Sequence, residues 1–229
     1  FPSDFVRNHF LQFTDQPFKS FSFPQGLYLG SQDSPQSKHI NKKLYSDLKL
    51  RGVGIVINVA TGNHRKGFDL FVALAKSNRK FDFIWVGDID SDQRRYLEGS
   101  ESLDNIDNLF LPGYVKDSEL LKSYYAIADV MALTSREEPF GSIVLEAMIN
   151  GTPVIGFSDV GGFQDVIEDN YNGNLIEPFN LDDMSEKISR IFNDTKFREY
   201  MKANSIKTAK KYDFDSYILR LIRIIEEIN

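Results

Sequence analysis

The chain contains no cysteine. That excludes disulfides, thiolate metal ligands and a cysteine nucleophile, and it fits a reducing compartment. Positive charge is not in excess either. Lys and Arg number 27 against 33 Asp and Glu, a net charge of −6 at pH 7, so no broadly basic surface for nucleic acid or anionic lipid is expected. No apolar run approaches the roughly 18 residues that a membrane helix requires. No internal repeat, low-complexity tract or signal peptide is visible. The first residue is Phe1 rather than Met, and the opening residues read as the interior of a domain, so the chain is expected to be a piece of a longer protein.

What remains is enough for a sizeable core: 229 residues, 41% of them hydrophobic. Strand-like and helix-like runs alternate along most of the length. Apolar, β-branched segments at 54–60, 81–88, 108–115, 129–135, 153–157 and 173–178 predict strands buried on both faces. Helical spacing predicts helices at 67–77, 117–128 (with Asp117 or Ser118 as N-cap), 142–150, 161–169, 181–194, 196–211 and 213–228. Such alternation predicts an α/β fold of the Rossmann-like kind, a parallel sheet with helices on both faces. The start fits this rhythm less well. Residues 1–13 suggest a strand end and a short amphipathic helix, 23–30 a linker with a turn at Gln25-Gly26, and 31–43 a polar, mobile loop.

The chemistry concentrates in "TSREEPFGSIVLEAMINGTPVIG", residues 134–156. Glu138 and Glu146 are eight positions apart, which on one helix would leave them ~80° apart, a poor way to hold one ligand. Pro139 and Gly141 resist a regular helix, and Ser142 is a good N-cap. Glu138 is therefore expected in a loop and Glu146 in the early turns of a helix that Asn150-Gly151 ends. The free N–H groups and positive dipole end of that helix would face whatever Glu138 faces. Two carboxylates with such donors suit a ligand that carries both negative charge and hydroxyls, such as a nucleotide sugar. The spacing alone also permits a plainer account, with Glu138 paired to Arg136 and Glu146 a surface acid.

"EPFGSIVLEA" resembles the E-x7-E signature of GT-B glycosyltransferases, in particular glycosyltransferase family 4, the group 1 transferases. "HRKGFDLFVALA", "FIWVGD", "NLFLPGYVKDSELLKSYYAIADVMALTS" and "GTPVIGFSDVGGFQDVIEDNYNGNLIEP" resemble further family segments in the same order, over roughly residues 50–195. The resemblance implies the C-terminal, donor-binding half of a GT-B fold. Residues 1–30 would be the end of the N-terminal domain and the linker, 31–212 the Rossmann-like nucleotide-sugar-binding domain, and 213–229 the helix that crosses back. It implies a retaining transferase of the 2.4 class, acting in polysaccharide biosynthesis, that moves a sugar from a nucleoside diphosphate sugar to a glycan or lipid-linked acceptor. The acceptor would be held by an N-terminal domain absent from this chain, through which alone a peripheral membrane contact would arise. The chain itself would be cytoplasmic and catalytically inert.

By the same resemblance Glu146 would accept the ribose hydroxyls, since a carboxylate takes two donors at once. Glu138 would meet the transferred sugar, and Lys66 would neutralise the departing diphosphate. Backbone N–H groups of Phe140, Gly141, Ser142 and Ile143 would reach sugar and phosphate. Tyr114 and Val115 would line the base, and Gly161 and Gly162 a loop near the donor. No metal and no cofactor is implied; "DIDSD" (88–92) reads as a polar strand-to-helix loop. The sequence departs from the family where an arginine usually stands five residues before the lysine: Ala60 and Thr61 occupy those positions. Arg65 and His64 are the candidates to replace it. "GDID" (87–90) also lacks the second glycine of the usual "GDGP". These departures motivate the alternative of a degenerate nucleotide- or sugar-binding module. A GT-B epimerase or hydrolase is disfavoured because His9, His39 and His64 are scattered.

Overall fold

A computed structural model describes residues 1–14, 20–22, 26, 43–51, 53–99 and 102–228. Gln25 of the expected Gln25-Gly26 turn and most of the 31–43 loop lie outside them. Six strands, β1 (Ile55–Val59), β2 (Asp82–Val86), β3 (Leu109–Gly113), β4 (Val130–Leu133), β5 (Val154–Phe157) and β6 (Gly173–Ile176), form one sheet in the order β3-β2-β1-β4-β5-β6. Every pairing is parallel. All six sequence-predicted strands are present, each slightly shorter than its apolar run.

The runs are mostly apolar because both faces are covered, with Asn58 and Asp82 as buried polar exceptions in β1 and β2. Along β1 and β2, Ile55, Ile57, Ile84 and Val86 enter one core cluster, with Tyr125 of α5 (Ser118–Ile127) and Val144, Leu145 and Met148 of α6 (Ser142–Ile149). The alternate residues Val56, Phe83 and Trp85 enter the other, with Phe68, Phe71 and Leu74 of α3 (Phe68–Ser77) and Met184 and Ile188 of α7 (Leu181–Asn193). This two-residue alternation is the strand period. Phe71 sets its ring edge-on to Phe83 and Trp85, at 5.5 and 5.2 Å between centroids. The fold is the α/β Rossmann-like fold read from the sequence.

At the N-terminal end the helix is α1 (Asp4–Leu11), capped by Ser3, and the described residues 1–3 are not in a strand. It leans on the 162–165 turn: the Asp165 carboxylate accepts the Asp4 N–H at 2.7 Å. A helical stretch over 43–47 (α2) and α4 (Ser91–Leu97) were not foreseen. The expected helix at 161–169 is a single 3-10 turn, Gly162–Asp165. The chain closes with α8 (Thr195–Ala209) and α9 (Phe214–Ile228), the latter exposing Leu219, Ile222 and Ile225. Among the described residues, no helix is long and apolar enough to cross a membrane.

The order 3-2-1-4-5-6 places a topological switch between β1 and β4. The chain leaves β1 for α3 on one face and β4 for α6 on the other, which opens a crevice at the carboxyl ends of these two strands. Gly67, the N-cap of α3, closes the β1 side with φ +70°. A Cβ there would collide with the Thr134 carbonyl at the end of β4. Gly67→Ala is expected to cost at least about 1–2 kcal/mol from the left-handed φ alone, with the collision added, read as a lower urea midpoint at an unchanged m-value.

Candidate functional site

Two loops meet across the crevice. The first, residues 60–67 after β1, carries Thr61, His64, Arg65 and Lys66. The second, 134–141 after β4, carries Arg136, Glu138, Phe140 and Gly141. Lys66 and Glu138 form an ion pair between Nζ and Oε2, with side-chain exposures of 16% and 9%. Seventy-two residues of sequence separate them, and the adjacency of β1 and β4 removes that distance.

The turn of each loop has a visible cause. The Lys66 N–H donates to Asn63 Oδ1 at 2.9 Å, which tightens the first loop. In the second, Glu138 makes a parallel bridge to Gly161; its N–H donates to the Val160 carbonyl at 3.0 Å and its carbonyl accepts the Gly162 N–H at 3.1 Å. Gly161 and Gly162 thus support Glu138 through the backbone. Gly141 then turns the chain with φ +75°, and a Cβ there would stand 2.9 Å from Glu138 Cγ. Gly141, and not Ser142, is the N-cap of α6, and it offers no side-chain cap. The correction has a simple reason: the left-handed turn needed to bring Glu138 beneath the helix start suits only glycine. Among the described residues, none accepts a hydrogen bond from the N–H groups of Phe140, Gly141, Ser142 or Ile143. Four donors are therefore available where the helix dipole is positive. The Phe140 and Ile143 side chains face the core, not the crevice.

Glu146 lies one turn into α6, half-buried. Its partner is the Tyr125 hydroxyl, which donates to Oε2 at 3.0 Å. Burial raises the Glu146 carboxyl above the ordinary glutamate range, and the Tyr125 hydrogen bond offsets this in part. Burial, then the Glu146 charge and the hydrogen bond, push the Tyr125 phenol well above its ordinary value, so it stays a donor. Glu146 is not the surface acid that spacing alone permitted.

Arg136 does not pair with Glu138. Its guanidinium binds both carboxylate oxygens of Asp69 on α3 at 2.7 Å each, and donates to the His64 carbonyl at 2.6 Å. Its N–H donates to the Arg65 carbonyl at 2.8 Å. Burial alone would raise the Asp69 carboxyl; the Arg136 guanidinium outweighs it and holds Asp69 below the usual aspartate range. This bidentate clamp ties the two loops together. Sequence reasoning missed it, because Asp69 reads as an ordinary acid in a first helical turn.

Of the candidates to replace the missing arginine, Arg65 is exposed and donates to the Glu137 carbonyl at 3.3 Å, and His64 is exposed, as is Thr61 at the position itself. The cation brought to Glu138 is Lys66. Tyr114 follows β3, 69% exposed, with its N–H on Asp88 Oδ1 at 3.1 Å; Val115 packs against the α5/α6 cluster. An open cleft lies elsewhere, lined by Arg7, Phe21, Ser22, Arg220, Arg223 and Ile224, and contains none of these residues. The crevice is the better candidate because there charged groups, unused donors and the strand switch coincide. Among the described residues, no three His, Asp or Glu side chains gather into a group able to hold a metal ion.

The family model for glycosyl transferases group 1 matches residues 46–208. The chain belongs to that family. An uncharacterized glycosyltransferase of Methanocaldococcus jannaschii is 31% identical over 177 residues, 74% of this chain and 44% of its own length. A second from the same organism is 28% identical over 206 residues, 84% of this chain and 58% of its own. The chain therefore spans about half the length of these curated relatives. Sucrose-phosphate synthase from Thermosynechococcus elongatus superposes with a TM-score of 0.82 at 24% identity, covering 99% of this chain and 57% of its own. Anabaena HepE, solved in complex with UDP and glucose, superposes with a TM-score of 0.82 at 20% identity, covering 98% of this chain and 61% of its own. These likenesses match the fold of this group 1 chain to GT-B glycosyltransferases.

A raised carboxyl makes the fold bind a proton more readily than the unfolded chain, so stability falls as pH rises from the ordinary glutamate range through the raised value. Glu146→Gln, always neutral, escapes this loss. The variant is expected to melt at or above the wild-type temperature at pH 7, and the gap between them is expected to narrow as pH is lowered to about 4.

Proposed function

We propose that this chain is the donor-binding half of a retaining glycosyltransferase of family 4, taking a nucleoside diphosphate sugar in the crevice between β1 and β4. The observation that carries the reading is the Lys66–Glu138 ion pair across the crevice just before α6, a helix whose first N–H groups have no acceptor among the described residues and which carries Glu146 one turn on. In this reading the ribose hydroxyls donate to Glu146, which keeps a carboxylate half-buried at some cost to stability. The diphosphate lies against Lys66 and the N–H groups of Gly141, Ser142 and Ile143, which stabilise the charge that grows as it leaves. Glu138 accepts hydroxyls of the transferred sugar. Tyr114 and Val115 border the base, and Gly161 and Gly162 shape the sugar end. Arg65 and Thr61 sit at the phosphate rim, and no metal takes part.

The UDP and glucose bound to Anabaena HepE support a nucleotide-sugar donor. Poly(glycerol-phosphate) alpha-glucosyltransferase of Bacillus subtilis, 32% identical over 113 residues, supports transfer of a sugar to a polymeric acceptor; the acceptor of this reading is a glycan or a lipid-linked one, and either would serve polysaccharide synthesis. The acceptor would be held by a second domain, against which the exposed apolar side of α9 packs; a peripheral membrane contact, if the whole cytoplasmic enzyme makes one, belongs to that domain. By itself the chain binds donor without transferring it. A degenerate binding module is the second reading, favoured by the exposed Thr61 where the family carries arginine.

Calorimetric titration with UDP, GDP and ADP tests the reading. One nucleotide is expected to bind, and Glu146→Ala to weaken it by about tenfold to a hundredfold, the loss of a charge-assisted hydrogen bond worth about 1.5–3 kcal/mol. Binding that survives Glu146→Ala unchanged would place the nucleotide elsewhere.

A further inference from the structure

The lysine assigned to phosphate already has a partner within the chain. Lys66 Nζ sits on Glu138 Oε2, and both side chains are largely withdrawn from water. Glu138 has little freedom to turn away: its backbone is bridged to Gly161 and its Cγ lies against Gly141. Lys66 is held from the other side by the Asn63 turn and the Arg136–Asp69 clamp. We infer that Glu138 is an internal counter-ion for Lys66, and that a nucleoside diphosphate binds by exchange, its phosphate taking the ammonium from the carboxylate. The inference rests on the donor-site reading above.

Two physical consequences follow. A cation largely withdrawn from water is costly without a partner, so Glu138 gives Lys66 a counter-charge and holds it in place. Binding then yields only the difference between the lysine–phosphate and lysine–carboxylate interactions, reduced further by repulsion between phosphate and Glu138. With the family arginine replaced by Thr61, and with Arg65 turned to the Glu137 carbonyl, no second cation among the described residues is paired with Glu138 to relieve that competition. The exchange also does useful work on the sugar side. Once released from Lys66, the Glu138 carboxylate is an acceptor without a cation, free to take sugar hydroxyls. An intact nucleotide sugar satisfies both halves of the broken pair; a bare nucleoside diphosphate satisfies one.

The test compares wild type with Glu138→Gln by calorimetry, using UDP, GDP and ADP and the matching nucleosides. The exchange predicts that Glu138→Gln binds the nucleoside diphosphate about three- to tenfold more tightly, because the competing charge is gone, and binds the nucleoside as wild type does. Glu137→Gln removes the same charge from the exposed neighbour and is expected to change little. Glu138→Gln added to Lys66→Met is expected to gain nothing over Lys66→Met alone. Glu138→Ala serves the same comparison should the glutamine variant fail to fold. If wild type binds and Glu138→Gln is no tighter, the exchange is overturned while the donor site stands. If Glu138→Gln alone binds, the exchange is upheld in its strongest form. If neither binds any of the three, the donor site and the exchange fall together.

Discussion

Everything at the candidate site depends on two parallel strands lying side by side while their following helices depart to opposite faces of the sheet. β1 and β4 pair through Val56 and Ile57 with Val130 and Met131. Seventy-odd residues separate them in sequence, and that one pairing brings the lysine loop to the glutamate loop. Were the strands not neighbours, Lys66 would be a surface cation and Glu138 an exposed acid. Because they are neighbours, both are shielded from water, and each becomes the other's counter-charge.

Shielding raises the stakes of each charge in the crevice. Three arrangements result. Arg136 and Asp69 form a bidentate pair that holds the loops together and needs nothing further. Lys66 and Glu138 form a pair that a ligand can divide. Glu146 has a phenol for a partner instead of a cation, and its raised affinity for a proton shows that the fold alone does not fully support its charge. Perturbed acids of this kind gather at functional sites. With the unused N–H groups of α6, the crevice therefore offers both donors and acceptors to a ligand that has hydroxyls at its ends and phosphate between them.

Much of this was legible in the sequence because it is local. The strand runs are apolar through β4 and β5 and nearly so through β1 and β2, and their alternation with helical spacing dictates a parallel sheet. Pro139 and Gly141 separate Glu138 from the helix of Glu146, as the structure shows. What was not legible depends on distant contacts. Ser142 looks like an N-cap, yet Gly141 takes the position because the backbone must pass over Glu138 in a left-handed turn. Arg136 stands two residues from Glu138, but its partner is Asp69, 67 residues away. Tyr125 lies in an ordinary amphipathic helix, and nothing in "KSYYAIA" distinguishes it from Tyr124 as the residue that reaches Glu146. The 3-10 turn at Gly162–Asp165 replaces an expected helix because Gly161 and Gly162 are used to bridge Glu138 rather than to start one.

The most direct test of the account is a crystal structure of this chain with the nucleoside diphosphate it binds. The ribose hydroxyls are expected on Glu146, the phosphates at the N–H groups of Gly141 to Ile143, and Lys66 Nζ on a phosphate oxygen with Glu138 released. A nucleotide found outside the β1/β4 crevice, or one seated in it while Lys66 still holds Glu138 and leaves the phosphate untouched, would contradict it.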